Sequence, residues 1–383
     1  MYKDTYVILR TPEGSGNLSA TGVEATIEVE EAELSPAQAE ELNRDERIQC
    51  IAPRMPWRLI EPMAAIDDSS GIVNEVTWGV EAVRASESPF DGSGISVAIL
   101  DTGIDKDHPA FTGIDIVTKN FTSEANGDIN GHGTHCAGTI FGRDVNGARI
   151  GVARNINKAI IGKVIGEGSS STGIAQAMNW AKENGAHVIS MSLGIDFPKY
   201  VNTLVTVHDF DIRHATSKAL VDYQKNVELF NSSYKFIMDQ AAFGDGIIIV
   251  AAAGNESKRP TYEIAASPPA IAKGIISVAA LYKSNEGLKV ASFSNTGAKI
   301  AAPGVGVLSA KGGGGLVALS GTSMATPHVA GVAALWAQKI LEEGFGLDSE
   351  VLKGKVLDGT MAPLAPGESP FNVGRGLVQA PLS

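Results

Sequence analysis

Three side chains able to pass a proton among them stand far apart in this chain. Asp101 ends the apolar run Ile95 to Leu100 and opens the turn Asp101-Thr102-Gly103. His132 lies between two glycines in Asn130-Gly131-His132-Gly133-Thr134-His135-Cys136. Ser323 follows Gly321-Thr322 at the head of an Ala-rich apolar pattern through Val332, Leu335, Trp336 and Ile340. A hydroxyl, a neutral imidazole to take its proton and a carboxylate to orient the imidazole make an activated nucleophile, and that arrangement is defined by geometry, not by order in the chain. A serine at a helix start also meets unpartnered N–H groups and a dipole favourable to negative charge. Asn255, in Ala252-Ala253-Gly254-Asn255-Glu256, adds an amide donor for an oxyanion. Each residue has a plainer reading. Ser323 is an N-cap, Asp101 and Asn255 are turn residues, or His132, His135 and Cys136 bind metal. The last lacks the second Cys/His pair of a closed zinc site.

The elements that must position these groups are legible as an alternation. Short apolar runs at Ile95 to Leu100, Ala159 to Ile165, His187 to Met191, Gly246 to Ala253 and Ile275 to Ala280 are separated by helical patterns at about 132–142, 172–184 and 218–243. Buried strands alternating with helices predict an α/β fold of three layers, a mostly parallel sheet with helices on both faces. Functional groups in such sheets gather at the carboxyl ends of strands, where Asp101 and Asn255 fall. Residues 1–66 read as a small α+β module: strands at Tyr6 to Leu9, Ala25 to Val29 and Arg47 to Ala52, and a helix opened by Ser35-Pro36. Residues 67–77 are the expected linker and 78–383 the larger domain.

Composition narrows the partners. The chain has 383 residues, 44% hydrophobic and 19% charged, with a formal charge of −12, which argues against nucleic acid or an anionic membrane as the main partner. No apolar run is long enough for a membrane helix. Met1 to Arg10 lacks a signal peptide's apolar core, and Cys50 and Cys136 do not make a disulfide framework, so a cytoplasmic setting is expected.

Asp101-Thr102-Gly103-Ile104-Asp105, Gly131-His132-Gly133-Thr134-His135, Ala252-Ala253-Gly254-Asn255-Glu256 and Gly321-Thr322-Ser323-Met324-Ala325-Thr326-Pro327-His328 together resemble the subtilisin family of serine proteases, in that family's order. The resemblance runs from about Trp78 to Gly376. It implies a serine endopeptidase with Asp101 as orienting acid, His132 as general base and acid, Ser323 as nucleophile, and Asn255 with the Ser323 N–H as the oxyanion hole. It further implies that Ser192-Leu193-Gly194 pairs with a peptide or protein substrate and that Gly166, Gly168 and Ser169 form the opposite wall. Ala253, Gly254 and Ser267 would line the primary pocket, and catalysis would need no cofactor. A peptide ligase using the same acyl-enzyme is an alternative, as is an inactive peptide binder.

Three departures stand out. The stretch between Gly194 and Asn255 is longer than the resemblance leads one to expect. Its insertion, around 196–240, has a three–four apolar spacing (Leu220, Tyr223, Val227, Phe230, Tyr234, Ile237, Ala241) that predicts a helix packed on the core or on a second copy. Within it, His208, Asp209, Asp211 and His214 are metal-ligand types in what reads as a solvated loop. Arg143 to Gly147 resembles a structural calcium loop, but Ala110 stands where a ligating carboxylate is expected. Finally, the N-terminal module resembles an inhibitory propeptide, an intramolecular inhibitor or chaperone, with a cut expected between Met63 and Glu75.

Overall fold

In this computed structural model, residues 3–11, 27–66, 76–241, 245–362 and 364–383 are described, with 63–66 as backbone only. The expected linker therefore lies largely outside the described residues. An eight-stranded sheet forms the centre. Across it run Gly287–Val290, Ile276–Ser284, Ile248–Ala252, Val188–Met191, Ser96–Asp101, Lys158–Lys163 and Asp115–Asn120, with Ile300–Pro303 also beside Ile276–Ser284. Every pairing is parallel except the Gly287–Val290 hairpin. The central strands are buried on both faces, which is why each reads as an unbroken apolar run. The expected strands are present within a few residues. Asp115–Asn120 escapes sequence detection because it is an edge strand of exposed and half-buried residues.

Helices His132–Phe141, Ser171–Glu183 and Thr322–Glu342 cover the sheet. The first is buried along its whole length. It reaches its place because Gly133 has no side chain: a Cβ there would lie 2.1 Å from the Gly103 carbonyl oxygen.

The N-terminal module is an antiparallel sheet, Glu28–Leu34, Asp4–Arg10 and Ile48–Pro53, with the helix Pro36–Leu42 held by a Ser35/Gln38 capping box. Strand alternation sends Tyr6, Ile8 and Ile51 to one face, where they meet Ala39, and Val7, Leu9, Cys50 and Ala52 to the other, where they join the main core.

The platform beneath that second face is the insertion. Residues 196–240 form two helices, Phe197–Thr206 and Ile212–Gln240, capped by Asp196 and Asp211; the expected loop joins them at His208 to Asp211 with its polar residues exposed, while Arg213 and His214 already belong to the second helix. The side chains of His208 to His214 do not gather ligand atoms; Phe210 stacks on His214 at 4.3 Å between ring centroids. The long helix packs on the chain's own core, with Phe230 and Ile237 of the predicted stripe buried and Tyr223, Tyr234 and Ala241 half-buried. Its covered stripe is Ala215, Ala219, Asp222, Asn226, Leu229, Phe230, Ser233 and Ile237, while Leu220 is 52% exposed. Polar members are tolerated because each is partnered. Asp222 accepts from Tyr200 Oη and Lys218 Nζ, both at 2.6 Å. Asn226 donates to the Pro53 carbonyl at 2.9 Å and accepts from Ser171 Oγ at 3.2 Å. Phe230 meets Trp57 edge-on at 5.2 Å. What remains for a second copy is the exposed strip at Leu220 and Val221.

Asn226→Ala should leave Ser171 Oγ and the Pro53 carbonyl short of a partner and cost about 1–3 kcal/mol, measured by chemical unfolding. Lys235→Ala, on the exposed face, should change stability by less than about 0.5 kcal/mol.

Candidate active site

The carboxyl end of Ser96–Asp101, the first turn of His132–Phe141 and the first turn of Thr322–Glu342 converge. Asp101 and His132 are 1% and 2% exposed, and Asp101 Oδ1 lies 2.8 Å from His132 Nδ1. The same oxygen accepts from Thr102 N at 2.7 Å. Nδ1 therefore carries the proton, and Nε2 is left with a lone pair to take another. His132 Nε2 is buried without a hydrogen-bond partner among the described residues. Burial works against a charged ring here, but the Asp101 charge and hydrogen bond, with Cys136 beside them, outweigh it and hold the His132 pKa well above the ordinary imidazole value.

Asp128, which no motif singled out, ties these parts together. Its Oδ1 accepts from Thr102 Oγ1 and Gly131 N, and its Oδ2 from Thr134 N and Thr134 Oγ1, at 2.6–2.8 Å. Thr102 Oγ1 in turn accepts from Gly133 N at 2.9 Å. One carboxylate thus satisfies the helix start and fastens it to the Asp101 turn. Asn295, also unflagged, does the same for the Asn255 turn. Its Oδ1 accepts from Glu256 N and Ser257 N, and its Nδ2 donates to Glu256 Oε2 at 2.6 Å. Neither residue carries a sequence signal beyond being a polar residue in a loop.

His135 is not a partner of His132 in any metal set. Its Nε2 donates to the Val307 and Val317 carbonyls, and burial first, then the neighbouring His132 charge, lowers its pKa to about 3. Asp101, His132 and Cys136 do cluster, but the Asp101–His132 bond uses the first two and burial raises the Cys136 thiol pKa. In the loop 143–147, Asp144 is paired with Arg154 at 2.9 Å, and the Ala110 carbonyl accepts from Arg143 N.

Asn255 Oδ1 accepts from Thr322 N and Thr322 Oγ1, which aims its Nδ2 outward over Ser323. Gly321 leaves room for this amide: a Cβ there would lie 2.9 Å from Asn255 Nδ2.

The cleft is filled by the chain's own residues 56–62. Trp57–Leu59 pairs antiparallel with Leu193–Ile195, matching Leu59 to Leu193 and Arg58 to Gly194. Ile60 N donates to the Ser192 carbonyl at 3.3 Å. The Ile60 side chain lies against Gly194, which Ser267 also approaches: a Cβ at Gly194 would be 3.7 Å from Ile60 Cδ1 and 3.3 Å from Ser267 Oγ. Ser323 Oγ donates to the Ile60 carbonyl at 3.0 Å, and Asn255 Nδ2 donates to the next carbonyl, Glu61, at 2.9 Å. Ser323 is 0% exposed. Beyond Glu61 a cleft of about 450 Å³ remains beside His132, walled by Ile129, Gly131, Lys311 and Leu319. Of the expected substrate wall, Ser192, Leu193 and Gly194 meet the segment, and Ser267 stands beside Gly194. Gly166 and Ser169 close on each other through the Ser169 hydroxyl, and the Ser169 carbonyl accepts from Arg54 of the module. Ala253 and Gly254 are drawn into the Asn295 and Thr322 network, with Gly254 N donating to Thr322 Oγ1 at 3.1 Å.

Titration of the His132 ring by NMR should give a pKa well above the ordinary imidazole value. In Asp101→Asn the opposing effect of burial is left uncompensated, and the value should fall. An unchanged value would mean that Asp101 does not hold the ring.

Residues 92–375 match the family described as the subtilase family. An alkaline protease of Alkalihalobacillus alcalophilus is 34% identical over 324 residues, 82% of this chain and 70% of the relative. The major intracellular serine protease of Bacillus subtilis is 34% identical over 280 residues, covering 69% and 75%. Among solved structures, fervidolysin from Fervidobacterium pennivorans, a keratinolytic enzyme related to subtilisin, superposes with a TM-score of 0.71 at 20% identity, over all of this chain and 62% of that one. The chain belongs to the subtilase family, the subtilisin-like serine proteases.

Proposed function

We propose that this chain is a serine endopeptidase, held latent by its N-terminal module. Ser323 Oγ attacks the peptide carbonyl while His132 Nε2 takes its proton, and Asp101 steadies the imidazolium. Asn255 Nδ2, with the helix start at Ser323, stabilises the oxyanion. His132 then gives the proton to the leaving amine, and water admitted beside His132 hydrolyses the acyl-enzyme. The observation that carries this reading is a main-chain segment lying in the cleft in a substrate's register, with a carbonyl at Ser323 Oγ.

Latency is read from the same contacts. Attack needs one carbonyl to present its carbon to the serine and its oxygen to the donor. Here Ser323 holds Ile60 and Asn255 holds Glu61. The Ser323 hydroxyl is bonded to that carbonyl and not to His132. Residues 63–66 continue as a strand beside Leu316–Ser320, so a cut between Met63 and Glu75 falls past the carbonyl at Ser323 and is work for a second molecule. A cytoplasmic setting fits two buried free thiols and the likeness to an intracellular protease. Amine capture in place of hydrolysis has no support from the relatives, which are described as proteases.

A fluorophosphonate probe should label Ser323 slowly in the intact chain, fast once the N-terminal segment has been removed, and not at all in Ser323→Ala. Absence of labelling in the processed chain would overturn the peptidase reading. N-terminal sequencing should then find a new terminus within 63–75; an intact Met1 in fully active protein would remove the latency reading. Because the base must be neutral, kcat/KM should rise with pH through the elevated His132 pKa. Asp128→Asn should lower kcat by roughly a hundredfold through misplacement of His132, with KM little changed, in steady-state peptide assays.

A further inference from the structure

Strand alternation places Arg58 on the same face of the segment as Ile60, two residues before the residue whose carbonyl meets Ser323. With Ile60 in the pocket at Gly194 and Ser267, Arg58 reaches the pocket's rim. There Arg58 Nη2 lies 2.6 Å from Glu256 Oε1 and Nη1 lies 3.4 Å from Asp196 Oδ2. These two carboxylates come from opposite sides of the site. Glu256 follows the oxyanion donor Asn255, and Asp196 begins the insertion directly after the Leu193–Ile195 strand. Neither is a loosely solvated acid. Glu256 Oε2 is held by Asn295 Nδ2 at 2.6 Å, and Asp196 Oδ1 caps its helix by accepting from Lys199 N at 3.1 Å. Each therefore presents its other oxygen to the same point, and a guanidinium already occupies it.

We propose that Asp196 and Glu256 form a subsite selecting peptides with a basic side chain two residues before the cleaved residue, and that Arg58 occupies it as the chain's own stand-in. This rests on the peptidase reading and sharpens it to a substrate class: a basic residue, then any residue, then an apolar residue at the cut. Two ion pairs that are partly open to water supply a modest discrimination that salt weakens. Arginine suits the site better than lysine because its forked donors reach two carboxylates at once.

The full-length chain is incubated until withdrawn samples show maximal fluorophosphonate labelling of Ser323, and the unlabelled remainder is then offered fluorogenic peptides with an apolar residue at the cut. The peptides differ only two residues earlier: arginine, lysine, glutamine or glutamate. Arginine should exceed glutamine about fivefold in kcat/KM, with lysine between them and glutamate below. The arginine-to-glutamine ratio should shrink as salt is raised and approach one in a chain carrying Asp196→Asn and Glu256→Gln. These substitutions keep the shapes and leave oxygens to accept from Lys199 N and Asn295. Equal rates for arginine and glutamine in the unsubstituted chain, or a ratio untouched by the double substitution, overturn the subsite and leave the peptidase standing. No cleavage of any peptide, with no labelling of Ser323, fails the peptidase reading and the subsite with it.

Discussion

The arrangement turns on a buried carboxylate and a buried imidazole joined at 2.8 Å. An unpaired carboxylate in the same place would cost several kcal/mol, so Asp101 needs His132, and the helix carrying His132 must come to the end of the Ser96–Asp101 strand. Main chain has to touch main chain there, which Gly133 permits. The exposed N–H groups of that helix start have to be satisfied, which Asp128 does with both oxygens. The parallel sheet supplies the rest. Asp101 and the turn after Ile248–Ala252 stand at the same edge because their strands run the same way.

This much was legible in the sequence because the demands are local. A buried parallel strand has to be an apolar run, and a residue at its carboxyl end is conspicuous when it is Asp101 or Asn255. The small residues around His132 and Ser323 mark places where backbones crowd. Asp128 and Asn295 were not legible, since their work is to satisfy distant N–H groups, and an Asp or Asn in a loop looks the same whether or not it does so. The side sheet of Val307–Ala310, Leu316–Ser320 and Met63–Ile66 was hidden for a related reason. One of its strands is borrowed from the N-terminal segment, a pairing that no local pattern encodes.

The long insertion shows how an apolar periodicity can find a helix and only part of its covered stripe. The three–four spacing correctly puts Phe230 and Ile237 under cover, but apolar residues alone cannot give the rest of the stripe when polar ones can be buried in pairs. Asp222 and Asn226 lie under cover because Tyr200, Lys218, Ser171 and the Pro53 carbonyl meet them. Lys218 also reaches Asp4 at 2.8 Å. The helix is therefore specific for one partner surface, the underside of the N-terminal sheet. A purely apolar stripe would stick to much else.

That docking bears on how the cleft is closed. The segment entering it is anchored three times: by the module on the insertion, by Trp57–Leu59 on Leu193–Ile195, and by Met63–Ile66 on Leu316–Ser320. Between the last two anchors only Ile60, Glu61 and Pro62 are free to cross the catalytic groups. With both ends in register, the span cannot slide to bring one carbonyl to serine and amide together. Ile60 stays with Ser323 and Glu61 with Asn255. A free peptide paired in the same register at Leu193–Ile195 has no second anchor, so its carbonyl opposite Ser323 can turn its oxygen to the amide. On the proposed reading, the difference between inhibitor and substrate lies in how many ends are held, not in the affinity of the residues in the cleft. The proposed subsite then serves both Arg58 in the latent chain and a basic residue in a peptide that is cut.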